Sequence, residues 1–179
     1  MITVRGKSIS TLYSAEQIAE RNLAMADEIS ATDHQNLLVI AILKGSFVFA
    51  ADLIRAMHAR GLEPEVEFIT LSSYGAGTEA GEVRILRDVD SPVAGRDILL
   101  IDDILESGNT LKFAQDLMIE RGARKVEIAV LLDKHSRRKA DIDANYVGFH
   151  CPDYFVVGYG MDVGHAFREL PFVGVVEDT

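Results

Sequence analysis

Residues 97–111, Asp-Ile-Leu-Leu-Ile-Asp-Asp-Ile-Leu-Glu-Ser-Gly-Asn-Thr-Leu, constrain this chain more than any other stretch. Positions 98–101 are apolar without interruption. The run is too short to be a helix of its own and reads as a strand buried on both faces. It ends in two adjacent carboxylates, Asp102 and Asp103, followed by a short polar loop, Glu106-Ser107-Gly108-Asn109-Thr110, and then a helical pattern. Open α/β sheets bind ligands at the carboxyl ends of their strands, where a loop feeds a helix. A loop of small residues opening a helix leaves backbone N–H groups free to hold an anion, and the helix dipole adds to the attraction. The segment therefore offers a phosphate cradle beside two acids able to bind hydroxyls or a metal.

The rest of the chain alternates strand and helix signals. Residues 1–13 are an arm with a weak strand or turn signal. Ser14 and Gln17 have the spacing of a capping box. Ile18, Met25 and Ile29 then recur at helical spacing, with Ala19 and Ala26 beside them, to about residue 30. Residues 37–43 read as a buried strand ending in a second strand-to-helix loop, Lys44-Gly45-Ser46. The helix after it is expected to turn Phe47, Ala50, Ala51, Ile54 and Met57 inward and to close near Gly61. Pro64 opens a strand at 65–71, in which Val66, Phe68 and Thr70 alternate with Glu65, Glu67 and Ile69. Residues 72–81 hold three glycines among small polar residues, the composition of a mobile loop. Residues 83–89 are expected to return from it as a strand, and Pro92 and Gly95 turn the chain into the central strand. The next helix buries Leu111, Ala114, Leu117 and Met118 and ends at Gly122. A buried strand at 126–132 precedes a basic run at 134–139. Short strands are expected at 146–149, 155–157 and 172–176. This alternation predicts one α/β domain with a mostly parallel sheet flanked by helices and right-handed crossovers.

Composition excludes several classes. With 179 residues and 48% hydrophobic content, the chain suits one globular domain with a full core. No apolar run approaches the ~20 residues that span a bilayer, and residues 1–7 lack the apolar core of a signal peptide. A cytoplasmic protein with no membrane partner is expected. The single Cys151 rules out an internal disulfide framework, and the five histidines have no zinc spacing. A net charge of −10 repels a nucleic-acid backbone, so no nucleic-acid partner is expected. In so acidic a chain the basic run at 134–139 reads as a solvated loop or a subunit contact.

The central stretch resembles the phosphoribosyl-diphosphate (PRPP) binding motif of phosphoribosyltransferases. That pattern is an apolar strand, two acids (Asp102, Asp103), two apolar residues (Ile104, Leu105), then an acid, Ser or Thr, Gly, any residue and Thr (Glu106, Ser107, Gly108, Asn109, Thr110). Asp102, Asp103 and Glu106 also fit the Asp-Asp-x-x-Asp/Glu metal motif of isoprenyl diphosphate synthases. That motif sits on helices of an all-α fold, against the strand-like run and Gly108 here. Further blocks follow the order of the hypoxanthine (hypoxanthine-guanine) phosphoribosyltransferases. They are Leu43-Lys44-Gly45, Ser72-Ser73-Tyr74-Gly75, and Leu131-Leu132-Asp133-Lys134 with the stretches 146–149 and 152–162 after it. The likeness runs from about residue 37 to 176.

The resemblance implies the type I phosphoribosyltransferase fold, with a small hood built from the N-terminal arm and the residues after about 150. It implies purine salvage. With Mg²⁺, ribose 5-phosphate passes from PRPP to N9 of hypoxanthine, with guanine as the second candidate, giving IMP or GMP and diphosphate. Ribose C1 gains positive charge as diphosphate leaves, so the leaving group needs Mg²⁺ and cationic or N–H partners. Water must also be kept out.

Residue by residue, the resemblance implies that Ser107, Gly108, Asn109 and Thr110 hold the 5-phosphate. Asp102 and Asp103 hold the ribose hydroxyls, for which pure acceptors are suited. Glu106 stands where the family has an acid near purine N7, a candidate general base. Asp is the commoner residue there, and the extra methylene of Glu changes reach and angle. Lys44 and Gly45 meet the diphosphate on a loop whose Leu43–Lys44 peptide can be cis in the family; Ser46 replaces a commoner Gly. Ser73 and Tyr74 reach the diphosphate from a lid at 72–83. Lys134 donates to the purine 6-oxo group, which selects against adenine. Phe155 stacks on the purine and the Val156 backbone meets its edge. Asp162 binds Mg²⁺ and Arg168 the diphosphate. A homodimer or homotetramer is expected from the family. The alternatives are a phosphoribosyltransferase for xanthine, adenine or a pyrimidine, an inactive relative marked by Glu106 and Ser46, and a nucleotide-sensing RNA-binding regulator on the same fold. The regulator would want a basic face, which the net charge of −10 disfavours.

Overall fold

Uninterrupted apolar runs become the central strands, because both faces of those strands are covered. The computed structural model describes residues 2–74 and 82–177. Its elements are β1 (Ile2–Val4), β2 (Lys7–Tyr13), α1 (Ala15–Ser30), β3 (Leu38–Leu43), α2 (Phe47–Ala59), β4 (Glu65–Tyr74) and β5 (Glu82–Arg87). They continue with β6 (Asp97–Leu105), α3 (Asn109–Glu120), β7 (Lys125–Asp133), β8 (Tyr146–His150), β9 (Val156–Val157) and β10 (Val173–Val176). A single 3-10 turn spans His135–Arg137.

The large sheet has the order β5-β4-β3-β6-β7-β8. Its strands are parallel except for β5, which pairs antiparallel with β4 at one edge. Val39, Ala41, Leu99, Ile101, Ala129 and Leu131 pack against Ile18, Met25, Phe49, Leu53 and Met57 of α1 and α2. Their neighbours along the strands, Leu38, Ile40, Leu100, Ile128 and Val130, pack against Leu111, Ala114 and Met118 of α3. The expected mostly parallel α/β sheet with helices on both faces is the observed architecture. No helix among the described residues is long and apolar enough to cross a membrane.

Strand order places the crevice. From β3 the chain moves outward to β4, whereas from β6 it moves the other way to β7 and β8. The loops leaving β3 and β6 therefore part, and this is the switch point at which open sheets bind ligands. Register aligns the strand ends, with Leu105 opposite Asp133 and Asp133 opposite His150. The segments that follow β3, β6, β7 and β8 emerge along one edge.

A second, antiparallel sheet has the order β1-β2-β10-β9 and joins the N-terminal arm to the C-terminal segment. Its own core is Ile9, Val157, Ala166, Phe167 and Leu170. The chain between β9 and β10 rests on the edge of the large sheet, since a Cβ at Gly160 would lie 2.5 Å from the Gly45 carbonyl oxygen.

Two expected apolar faces differ in part: Ala50 and Met57 are buried as expected and Ile54 packs against the core, but other positions are not. In α2 the buried residues are Phe49, Ala50, Leu53, Ala56 and Met57, while Phe47 and Ala51 are exposed. The run 47–51 is apolar all round the helix, so its sequence carries no phase. In β4, Ile69 is buried and Val66 and Phe68 are exposed, because Ile69 is the residue that faces the α3 side of the sheet. Ala19 of α1 is exposed as well, whereas Ala26 is buried.

Candidate active site at the carboxyl edge of the large sheet

β6 delivers Asp102 and Asp103 to the crevice. Asp102 is buried, its Oδ1 accepts the Asp103 N–H at 2.9 Å, and Asp103 Oδ1 accepts the Ile104 N–H at 2.8 Å. Burial pushes both carboxyls above the ordinary Asp value, and the neighbouring Asp103 charge pushes Asp102 further. Such a pair is destabilised when both groups are ionised, and a diol or a cation arriving at it relieves the repulsion.

The loop after β6 opens α3 without a side-chain cap. Gly108 holds φ of +85°, and a Cβ there would lie 2.6 Å from Ile142 Cγ2, so both conformation and space require glycine. The Ser107 carbonyl accepts N–H groups from Lys139 and Ala140 at 2.9 and 3.0 Å, which fixes the loop from behind. Asn109 and Thr110 form the first residues of α3. The N-terminal amides of an uncapped helix are suited to an anion.

The loop after β3 approaches from the other side of the switch point. Its Leu43–Lys44 peptide is cis. A Cβ at Gly45 would overlap the Asp103 carboxylate, so only glycine lets the two loops touch. Ser46 is fully buried with φ of −78°, a conformation open to any residue, and its Oγ donates to the Ile42 carbonyl at 2.5 Å. The hydroxyl thus ties the loop to the end of β3.

Lys134 follows β7 and is buried rather than solvated. Its Nζ donates to the Tyr154 carbonyl at 2.7 Å and lies 3.6 Å from Glu106 Oε1. Arg137 Nε stands 3.8 Å from the same Glu106 oxygen and 2.7 Å from Asp153. Glu106 therefore sits between two cations, half exposed. Phe155 is exposed, unlike a core aromatic, while Val156 is buried in β9. Asp162 and Arg168 meet each other: Arg168 Nη2 is 2.9 Å from Asp162 Oδ1, and Asp162 Oδ2 accepts the His165 N–H at 2.7 Å. Ser73 lies near the end of β4, exposed. The side chain of Tyr74 and residues 75–81, where most of the expected lid falls, lie outside the described residues.

The basic run at 134–139 is not simply a solvated loop. Arg138 is nearly buried and donates to the carbonyls of Glu106 at 3.1 Å and Ile142 at 2.6 Å, and to the carboxylate of Asp133. It braces the Glu106 loop from below. Sequence reasoning missed it, along with buried Asn22 and Tyr159 and half-buried Asp52, which form a hydrogen-bonded group behind the site. The one sequence signal for Arg138 was a dense basic run directly after a buried strand in an acidic chain.

Residues 8–163 match the phosphoribosyl transferase domain family model. The chain is 40% identical to the hypoxanthine-guanine phosphoribosyltransferase of Aquifex aeolicus, across 99% of this chain and 100% of the relative. It is 44% identical to that of Bacillus subtilis, across 93% and 92%. The crystal structure of a hypoxanthine phosphoribosyltransferase from Staphylococcus aureus is similar with a TM-score of 0.88 and 41% identity, across 94% of this chain and 91% of that one.

Proposed function

Because this chain belongs to the phosphoribosyl transferase family, we propose that it transfers ribose 5-phosphate from PRPP to N9 of hypoxanthine or guanine, releasing diphosphate. The observation that carries the reading is the meeting of Asp102–Asp103, the Lys44–Gly45 loop and buried Lys134 at one strand edge. It is an enzyme of purine salvage, and a cytoplasmic location and a homodimer or homotetramer belong to the same reading.

Each role follows from the donor or acceptor the residue offers. The amides and hydroxyls at 107–110 hold the 5-phosphate, and the Asp102–Asp103 pair accepts hydrogen bonds from the ribose hydroxyls. Lys44 and the Gly45 backbone, with Arg168, gather the diphosphate; Ser73 and Tyr74 join from the lid. Lys134 presents a buried cationic donor to the 6-oxo group. Against adenine one N–H of this ammonium would meet an amino group instead of an acceptor, a loss of about 1–3 kcal/mol. Phe155 offers an open ring face for stacking, and the Val156 backbone meets the purine edge. Glu106 takes the proton from the purine ring as the new bond forms at N9.

The donor set suits Mg²⁺. No group of three or more His, Cys, Asp or Glu among the described residues makes a cage, and Mg²⁺ needs none, since it keeps waters and takes one or two carboxylates with substrate oxygens. Asp162 is the residue that would hold it. Bound with PRPP, Mg²⁺ supplies positive charge to the departing diphosphate.

The test is an end-point assay with PRPP and Mg²⁺ against hypoxanthine, guanine, xanthine and adenine in parallel. IMP from hypoxanthine with little product from adenine is expected. No nucleotide from any base would overturn the proposal.

A further inference from the structure

Behind the crevice, three consecutive residues of the chain leaving β9 occupy the left-handed region: Gly158 (φ +93°), Tyr159 (φ +50°) and Gly160 (φ +98°). Tyr159 is a bulky non-glycine residue in that region, a conformation that persists only where its surroundings impose it. Its surroundings are specific. The ring is buried, the hydroxyl donates to the Asp52 carboxylate of α2, and Asn22 Nδ2 of α1 donates to the hydroxyl at 3.0 Å.

These contacts join two parts of the site. Asp52 lies on the helix that continues directly from the loop at 44–46, where the Ser46 carbonyl accepts the Ala50 N–H at 2.7 Å. Tyr159 stands just before Gly160, whose backbone presses on the Gly45 carbonyl and whose own carbonyl accepts from Arg168 Nη1 at 2.6 Å. Arg168 in turn pairs with Asp162. A movement of Tyr159 would therefore change the gap between the Gly45 loop and the Asp162–Arg168 segment.

We propose that Tyr159, held by Asp52 and Asn22, is a positioning residue that sets the spacing of the two loops meant to enclose the diphosphate. The inference rests on the function proposed above. The tyrosine exerts its role through the two loops rather than through contact with substrate. It acts as a neutral donor throughout the working pH range, because burial and the Asp52 charge both hold its hydroxyl above the ordinary tyrosine value.

Tyr159→Phe tests it, since the ring is kept and only the hydroxyl is lost. KM for PRPP is expected to rise about tenfold, the scale of a hydrogen bond to a charged group. Inhibition by diphosphate should weaken in step, with KM for hypoxanthine and kcat within about twofold of wild type. Asp52→Asn keeps an acceptor oxygen and should fall between the two. The double variant should be no worse than Tyr159→Phe, as expected for groups that act as a unit. An unchanged KM for PRPP, effects that multiply in the double variant, or an equal loss in every kinetic constant would overturn the proposal. The wild-type assay separates the two claims. If wild type forms no nucleotide, the proposed function fails, and calorimetry of diphosphate binding with Mg²⁺ then decides the positioning role. Weaker binding by Tyr159→Phe upholds it, and equal binding sinks it.

Discussion

Asp102 faces opposite demands from folding and from ligand binding. Its carboxyl lies above the ordinary Asp value, because it is buried and beside Asp103. A carboxylate raised in the folded state stabilises the fold only at low pH. That contribution is present below the unfolded pKa of about 3.9 and is lost as pH rises through the folded value. At neutral pH the buried pair therefore costs stability. Asp102→Asn should raise the neutral-pH melting temperature, since it removes a buried charge beside Asp103, while removing most PRPP binding. Wild-type affinity for PRPP should also weaken as pH falls through the raised value. Thermal melts with and without PRPP at several pH values measure all of this, and a less stable Asp102→Asn protein at neutral pH would refute the argument. Glu106 is a different case, since Lys134 and Arg137 both stand within 4 Å of it. Glu106→Gln removes the proton acceptor but keeps a polar group, so turnover should fall by about 10²-fold with PRPP binding largely kept. Equal turnover in the two proteins would remove Glu106 from proton transfer.

The three helices divide according to how they begin. α1 has a complete capping box: the Ser14 hydroxyl accepts the Gln17 N–H at 3.3 Å and Gln17 Oε1 accepts the Ser14 N–H at 2.8 Å. α2 and α3, which start at the crevice, have no side-chain cap. Ser46 has helical rather than extended backbone angles (φ −78°, ψ −5°), and its hydroxyl turns back to donate to the Ile42 carbonyl, so it does not cap α2. In these two helices no N-cap side chain takes up the first-turn amides, although the Phe47 N–H reaches the Lys44 carbonyl and the Asn109 N–H the Ser107 hydroxyl. Ser14→Ala should cost about 1 kcal/mol of stability and leave kinetics alone. Gly108→Ala should raise KM for PRPP more than tenfold, because the added methyl meets Ile142 and the left-handed φ is lost to strain. Kinetics and melts of both variants check the division; a Gly108→Ala protein with normal PRPP kinetics would contradict it. The same elements show what a sequence can reveal. Ser14 and Gln17, the run at 98–101 and the motif at 102–110 were legible because their information is local, in spacing and period. The buried face of α2 was not, since residues 47–51 are apolar in every direction. The roles of Arg138 and Tyr159 were also hidden. Each depends on segments far along the chain, Arg138 on the Glu106 carbonyl and Tyr159 on Asn22 and Asp52, and no local pattern encodes such a meeting.

At the scale of the whole molecule, the proposed site draws on two sheets: Val156 and Val173 of the small sheet pack into the core of the large one, while Ile9 and Val157 belong to a smaller core of their own. The large sheet carries the residues proposed for PRPP on strands buried on both faces, whereas Val156 belongs to the small sheet and Phe155 directly precedes it. β9 is two residues long and pairs only with β10, which pairs with β2. The purine side of the site thus depends on the N-terminal arm, some 150 residues away in sequence. Ile9 is the fully buried residue of β2 in that small core. Regions with few buried apolar contacts open at lower free energy than the global unfolding barrier, so the small sheet should open first. Ile9→Ala should destabilise it by about 2–4 kcal/mol. Hydrogen exchange at β9 and β10 should then accelerate while β3, β6 and β7 keep their protection. KM for hypoxanthine should rise several-fold, with a smaller change for PRPP. Exchange read by mass spectrometry, with steady-state kinetics on the same variant, distinguishes this from a general loss of stability. Uniform acceleration across both sheets, or equal rises in both Michaelis constants, would mean that the two sheets open as one unit.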